Sequence, residues 1–328
     1  MAASSFPSPV GLGAWDSREI GRGGLLRIGE TLWSFYAGCD VRFEWKLGAA
    51  VSADALDWTR VGDEPLVTPP ATRVSGGGWH GYLDPSAVVR PDGSIELFAC
   101  AVGGGPGATI VSFTSRDAVD WVGPEVQLRS AGWDGSGIVA FGSPWVVTAP
   151  GAGSEDVVQP GTQCMFLARS RTMGDGRRES SIVRFDRMAK EGGWSETEVQ
   201  LADPDGYQID HPCVLVDPDH GWRLWCSSLQ TTAWRIMSAR SDDGLTWSPL
   251  EPAIVGDTRS PHQTAGVFGP AVVAVPDGLL MVHLASSRTS DGLSVVAFAK
   301  RSVDGLVWQP LSERPVFTPR PGLPVRSW

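Results

Sequence analysis

"SADALDW" at residues 52–58 has three close copies further along the chain, "SRDAVDW" (115–121), "SDDGLTW" (241–247) and "SVDGLVW" (302–308). Each copy begins with Ser, places Asp two positions on and ends on Trp at the seventh position. In the last two, Asp is followed by Gly, a strong hairpin signal, because Gly accepts a positive φ and Asp can bond its own backbone. Each copy therefore reads as a hairpin tip whose Trp packs on the returning strand. A weaker fifth copy, "KEGGWSE" (190–196), keeps Gly-Gly-Trp. The tryptophans of the five copies, Trp58, Trp121, Trp194, Trp247 and Trp308, recur at roughly 60-residue intervals, the mark of a repeated unit.

Between the tips, the order of signals is constant. "PSAVVRPDGSIELFACA" (85–101), "PCVLVDPDHGWRLWCSS" (212–228) and "PAVVAVPDGLLMVHLAS" (270–286) each hold two short β-rich apolar runs joined by a Pro-Asp turn or a Pro-Asp-Gly turn. Helical periodicity is nearly absent. With a third run of small residues and the Trp hairpin, each unit supplies four short strands, and about 60 residues with four strands is the signature of a propeller. The predicted fold is all-β, a five-bladed β-propeller of four-stranded antiparallel blades at approximately 10–68, 69–130, 131–203, 204–257 and 258–319, forming a single domain over 1–328. In blade three, the stretches 149–163 and 169–181 read as long insertions. The tail "RPGLPVRSW" (320–328) is placed to cross back towards the first blade.

Composition narrows the function. The net charge of −10 and the lack of any Lys/Arg block oppose a nucleic-acid partner. No apolar run reaches membrane-spanning length, and "MAASSFPSPVGLGAWDS" has neither a basic nor an apolar leader region, so no membrane partner and a cytoplasmic location are expected. Five scattered cysteines without a CxxC pair suit reduced, buried thiols. "GGGPG" (103–107) lacks the Lys-Ser/Thr and the helix of a phosphate loop.

The combination of "AWDSREIGRGGLLRIGETLWSFYAGCD" (14–40), "AVSADALDWTR" (50–60), "LDPSAVVRPDG" (83–93) and "RSVDGLVWQP" (301–310) resembles the five-bladed propeller glycosidases, the superfamily of arabinanases, β-xylosidases, arabinofuranosidases and invertases. The likeness spans all five units and carries fold more strongly than substrate. It implies carboxyl groups where the innermost strands begin, one protonated as acid and one ionised as base or nucleophile, acting on a carbohydrate or related small molecule. By that resemblance Asp16 in "WDS" looks like the base, and Asp84 in "LDPS" looks like the acid that orients substrate and modulates the donor's pKa.

The third unit departs from the family. Its Glu is missing, and Gly142 and Ser143 of "FGSPWVV" stand in its place. Asp134 in "GWDGSG", or Asp210 with His211 in "QIDHP", are the candidate proton donors. His80, His211 and His262 fall in the same segment of units two, four and five, where imidazole can serve as acid, base or ligand. Trp15, Trp79 and Trp133, in "AWDS", "GWHG" and "GWDG", together with Gln263 beside His262, are candidate substrate-binding residues, since a sugar's apolar face stacks on aromatic rings. No EF-hand or zinc spacing occurs; no cofactor is expected, and an axial calcium enters only through the resemblance. Three functions follow: a glycosidase-like hydrolase; a non-hydrolytic acid–base enzyme catalysing a cyclisation, rearrangement or elimination, favoured by the missing Glu and the histidines; or a binding propeller without catalysis.

Overall fold

The computed structural model describes residues 14–70, 79–103, 108–130, 132–133, 137–149, 162–174, 176, 178–187, 192–201, 208–217, 221–230, 232–290 and 292–320. All regular structure among them is β. The chain begins with β1 (Glu19–Ile28), β2 (Thr31–Cys39), β3 (Trp45–Ser52) and β4 (Thr59–Arg60), which pair in sequence order as an antiparallel meander. The same meander recurs in β5 (Gly81–Val89), β6 (Ile95–Val102), β7 (Thr109–Ser115) and β8 (Val122–Arg129). After the two-residue β9 (Gly132–Trp133) come β10 (Gly137–Thr148), β11 (Gln163–Met173), β12 (Arg178–Arg187) and β13 (Ser195–Thr197). The fourth run is β14 (Gln208–Asp217), β15 (Gly221–Gln230), β16 (Ala233–Ser241) and β17 (Glu251–Val255). The fifth is β18 (Gly266–Val275), β19 (Gly278–Thr289), β20 (Gly292–Ser302) and β21 (Gln309–Pro310).

These blade-like runs do not remain four separate strands each. A single parallel bridge, Trp45 to Gly81, joins the first two runs into an eight-stranded sheet, and Trp234 to Gly266 joins the last two in the same way. The middle run gains β9 as a fifth strand. Glycine permits both bridges: a Cβ on Gly81 would strike Trp45, and one on Gly266, at φ +105°, would strike the Trp234 backbone. Within 169–181, read above as an insertion, Arg169–Thr172 and Arg178–Ser181 are instead the paired ends of β11 and β12, in register from Arg169–Ser181 to Thr172–Arg178. Most of 149–163 lies outside the described residues.

The first strands, β1, β5, β10, β14 and β18, contact one another in that order, and β18 contacts β1. Burial is greatest on the second strands and falls towards the outer ones. In the second run, β6 is buried along nearly its whole length whereas the outer β8 is largely exposed, which is why second strands read as continuous apolar runs. Successive runs are joined by aromatic pairs. Trp121, Trp194, Trp247 and Trp308 each meet an aromatic residue of the preceding run's second strand edge-on: Phe35, Phe98, Phe166 and Trp225, at 5.6, 5.9, 6.1 and 5.9 Å. At the seam between the last run and the first, Trp58 and Val282 line a small cavity of about 30 Å³ instead.

The tips account for the repeat. Ser115 Oγ accepts the amide protons of Asp117 and Ala118, and Asp117 Oδ1 accepts those of Val119 and Asp120. The turns at 52–58 and 241–247 repeat this bonding, and in 302–308 Ser302 Oγ accepts the Gly305 amide while Asp304 Oδ1 accepts those of Leu306 and Val307. Gly244 and Gly305 take the positive φ foreseen for them (+72° each), and Ala55 and Ala118 adopt the same region at +65° and +66°. In the fifth copy, residues 188–191 lie outside the described residues, and Trp194 instead donates to Gln127 and stacks under Arg187. Third strands run parallel to first strands, so the tips lie at the end where the first strands finish.

The last described segment closes the molecule. Val316 and Phe317 bond to Ala297 of β20, the Arg60 guanidinium donates to Thr318 O, and Arg320 N donates to Asp16 O. Residues 316–320 thus tie the fifth run to the first.

Candidate functional site

Near its beginning, every first strand carries an irregularity: between Ile20 and Gly23, Leu83 and Ser86, Gly142 and Trp145, Asp210 and Cys213, and Phe268 and Ala271. In the last four, the residue before a proline takes a left-handed backbone: Asp84 (φ +53°), Ser143 (+52°), His211 (+52°) and Gly269 (+60°). For the three non-glycine residues this costs about 1–2 kcal/mol each, and such strain concentrates at working sites. Its effect is to re-aim side chains from the sheet towards the ring of first strands.

Three of these residues meet there. Ser143 Oγ lies 2.9 Å from Asp84 Oδ2 and 2.8 Å from Asp210 Oδ1. Asp210 Oδ1 also accepts the His211 amide at 2.7 Å. The His211 ring places Nδ1 3.1 Å from Ser227 Oγ, which in turn accepts the Gly269 amide. From β1, the buried Arg22 guanidinium donates to the carbonyl oxygens of Ser143 and Pro212 and lies over the Trp145 ring at 5.1 Å.

The electrostatics are those of a buried charge cluster. Burial pushes Asp210 up, but the imidazole and amide of His211, the Ser143 hydroxyl and Arg22 outweigh it and hold the carboxyl below its ordinary range. Burial lowers the pKa of Arg22 while Asp84, Cys213 and Asp210 pull it back up. Burial first, then Asp84 and Asp210, push the Cys100 thiol up, so it stays protonated. Arg22 already supplies a fixed cation beside both carboxyls, a setting that does not fit an axial calcium ion. Beside the cluster, His211, Trp234 and Phe268 form an aromatic group with centroids 5.8–6.2 Å apart.

The other candidates lie elsewhere or in different roles. Asp16, expected as the base, is fully buried and its carboxylate is enclosed by Tyr36 Oη (2.8 Å), Arg60 Nε (2.7 Å) and Arg320 Nε (3.2 Å). None of these partners touches the Asp84–Ser143–Asp210 group among the described residues, so Asp16 anchors the seam and does not join the cluster. Trp15, expected against substrate, is likewise core: it stacks on Tyr36 at 5.4 Å in a slot left by Gly38 and Gly48. Gln263 Oε1 accepts the Asp257 amide and fixes its own loop. His262 packs towards Phe298 at 5.9 Å. Trp79 is half-buried against Tyr82, and His80 is exposed; both line a separate cleft with Arg42, Phe43 and Lys46. Trp133 lies in β9, and Asp134 falls outside the described residues.

Arg22, Trp234 and Phe268 were not singled out from the sequence. For Arg22 a signal existed: "GRGG" is the first-strand bend without a proline.

No family model matches the sequence, and no curated protein matches it. Solved structures do. A thermostable family-43 glycoside hydrolase superposes with a TM-score of 0.64 at 14% identity, over 97% of this chain and 99% of that one. An α-L-arabinanase of Cellvibrio cellulosa, in complex with arabinohexaose, gives 0.58 at 14% identity, over 85% and 91%. A family-43 glycoside hydrolase of Bacillus licheniformis gives 0.59 at 17% identity, over 98% of this chain and 59% of that one. The chain therefore has the fold of the propeller glycosidases, as the sequence resemblance implied.

Proposed function

We propose that the chain is one five-bladed propeller domain, with the blade limits read from the sequence, and that the beginning of its first strands is the acid–base site of a glycosidase-like enzyme. Five antiparallel runs and the cyclic contact of their first strands support the count. The observation that carries the function is the convergence of Asp84 and Asp210, from separate strands, on Ser143 beside the buried Arg22.

The two carboxyl oxygens are no farther apart than two hydrogen bonds laid end to end. That falls short of the about 6.5–9.5 Å that lets a water sit between the carboxyls of inverting enzymes. Asp84 and Asp210 therefore act as one proton-holding unit, the acid that a glycosidic oxygen needs on leaving, while His211, Trp234 and Phe268 offer the surface for a sugar ring. The arabinohexaose in the arabinanase complex makes an arabinan-type oligosaccharide the first glycan to offer.

A second reading, non-hydrolytic acid–base chemistry on a small molecule with His211 as the second proton carrier, is favoured by one observation: Asp16 is locked into the seam and supplies no opposing base. Release of chromophore from aryl arabinofuranosides, xylosides, fructosides and galactosides separates the two. Cleavage that drops about 10²–10⁴-fold in Asp84→Asn and Asp210→Asn supports hydrolysis. Absence of cleavage across the panel transfers the site to the second reading.

A further inference from the structure

The hydrogen bonds at the centre of the site can be counted proton by proton. A serine hydroxyl carries one proton, yet Ser143 Oγ stands within hydrogen-bond distance of two carboxyl oxygens. If both carboxyls were ionised, one contact would set a lone pair against an anion. One carboxyl must then supply a proton of its own.

The surroundings decide which. Asp210 Oδ1 takes an amide proton from His211 at 2.7 Å, and hydrogen bonds to the charged form favour it. The direction of its titration agrees, since the carboxyl is held below its ordinary range. For Asp84, the one side-chain partner among the described residues is Ser143 Oγ. The groups facing the pair are Arg22 from β1, Cys100 from β6 and His211 from β14, with Cys213 of β14 facing Arg22. Both thiols are pushed up by burial and stay neutral. Arg22 spends its described hydrogen bonds on the carbonyls of Ser143 and Pro212 and donates to neither carboxyl among the described residues.

We infer that Asp84 is the protonated member of the pair at neutral pH, donating to Ser143 Oγ, and that Ser143 directs its own proton to the ionised Asp210. Ser143 is a positioning residue in this arrangement: it fixes which carboxyl is acid and which is anion. When Asp84 gives its proton to a bound acceptor, the Ser143 hydroxyl rotates to donate to Asp84 and the trio carries one more negative charge, which is restored when Asp210 takes a proton from the water or substrate hydroxyl that adds in the next step. The catalytic use of this proton rests on the acid–base reading above, whereas the protonation itself does not.

The test is ¹³C NMR of the full chain labelled at aspartate Cγ, at neutral pH, read beside each variant's thermal unfolding. One protonated carboxyl resonance is expected in the unmodified protein, missing from Asp84→Asn and still present in Asp210→Asn with a lower titration midpoint, because the neighbouring anion is gone. Ser143→Ala is expected to lower its titration midpoint by about 1–3 pH units, the span of a lost partner or charge. A resonance that survives Asp84→Asn and vanishes in Asp210→Asn overturns the assignment. So does an unmodified protein with no protonated aspartate at neutral pH, a result that needs no variant to fold. Failure to cleave any glycoside leaves this signal untouched, so the two readings fall separately.

Discussion

Replacing Asp16 by Asn separates a seam anchor from a catalytic base. The carboxylate is fully buried against Arg60 and Arg320, whose side chains are 23% and 17% exposed, and it also accepts the Tyr36 hydroxyl. Removing one member of a buried ion pair costs about 3–5 kcal/mol, because the partner charges stay behind uncompensated. Asn keeps one acceptor oxygen and both arginines retain some access to water, which places the expected loss near the lower end, about 3 kcal/mol. Unfolding entropy of about 2.1 cal/mol/K per residue over 328 residues gives roughly 0.7 kcal/mol/K, so the midpoint should fall by about 4 °C. The assay is thermal unfolding by calorimetry, run beside Arg320→Ala and the double variant. Because Asp16 and Arg320 share one contact, the double variant should lose less than the sum of the singles. An unchanged midpoint together with abolished turnover would refute the reasoning and return Asp16 to the active site.

Other seams and turns give sharper local tests. Trp308→Ala removes the edge-on partner of Trp225 and should cost about 3–5 kcal/mol in denaturant unfolding; a loss below about 1 kcal/mol would mean that the seam aromatics do not hold adjacent runs together. Gly305→Ala would bring a Cβ to 2.7 Å from Arg223 Nη1 and 3.0 Å from the Trp225 ring, and should destabilise by about 1–3 kcal/mol, while Ala118→Gly at the matching tip should stay within about 1 kcal/mol of neutral. The pKa of Asp210 is depressed in the fold, so its contribution to stability is present above the unfolded value of about 4 and is lost as pH falls through the lower folded value; Asp210→Asn should flatten the acid limb of the stability curve. All five cysteines are buried, with Cys39 pushed up to about 11 and Cys213 to about 12 by burial, so a thiol reagent at mildly alkaline pH should label none until the chain unfolds.

What could be read in advance was local in sequence. A tip closes its bonds within seven residues, so Ser, Asp and Trp announce it wherever it occurs. Asp84 and His211 were legible because each precedes a proline at a strand's start, where a bend re-aims the side chain. Asp16 sits in a similar-looking segment, but its partners are 44 positions away at Arg60 and at the far end of the chain at Arg320, and no short motif encodes that enclosure. The place of Trp15 is hidden for the same reason: the slot that receives its ring is cut by Gly38 and Gly48 on two other strands. Arg22 escaped notice because arginine is rarely buried, and its place becomes evident once five strands are laid side by side.

Those five bends make the centre of the molecule something like a keyboard: the backbone fixes where each key sits, and the side chain alone decides what it plays. Arg22, Asp84, Ser143, His211 and Gly269 stand in a fixed order around the ring, and the last key is blank. Gly269 holds the same left-handed backbone that its neighbours adopt with full side chains, and a Cβ there would meet Arg22 at an ordinary 3.4 Å. A new acid, amide or imidazole installed at that position would inherit an orientation already specified by the strand beneath it, which turns a change of chemistry into a change of one residue.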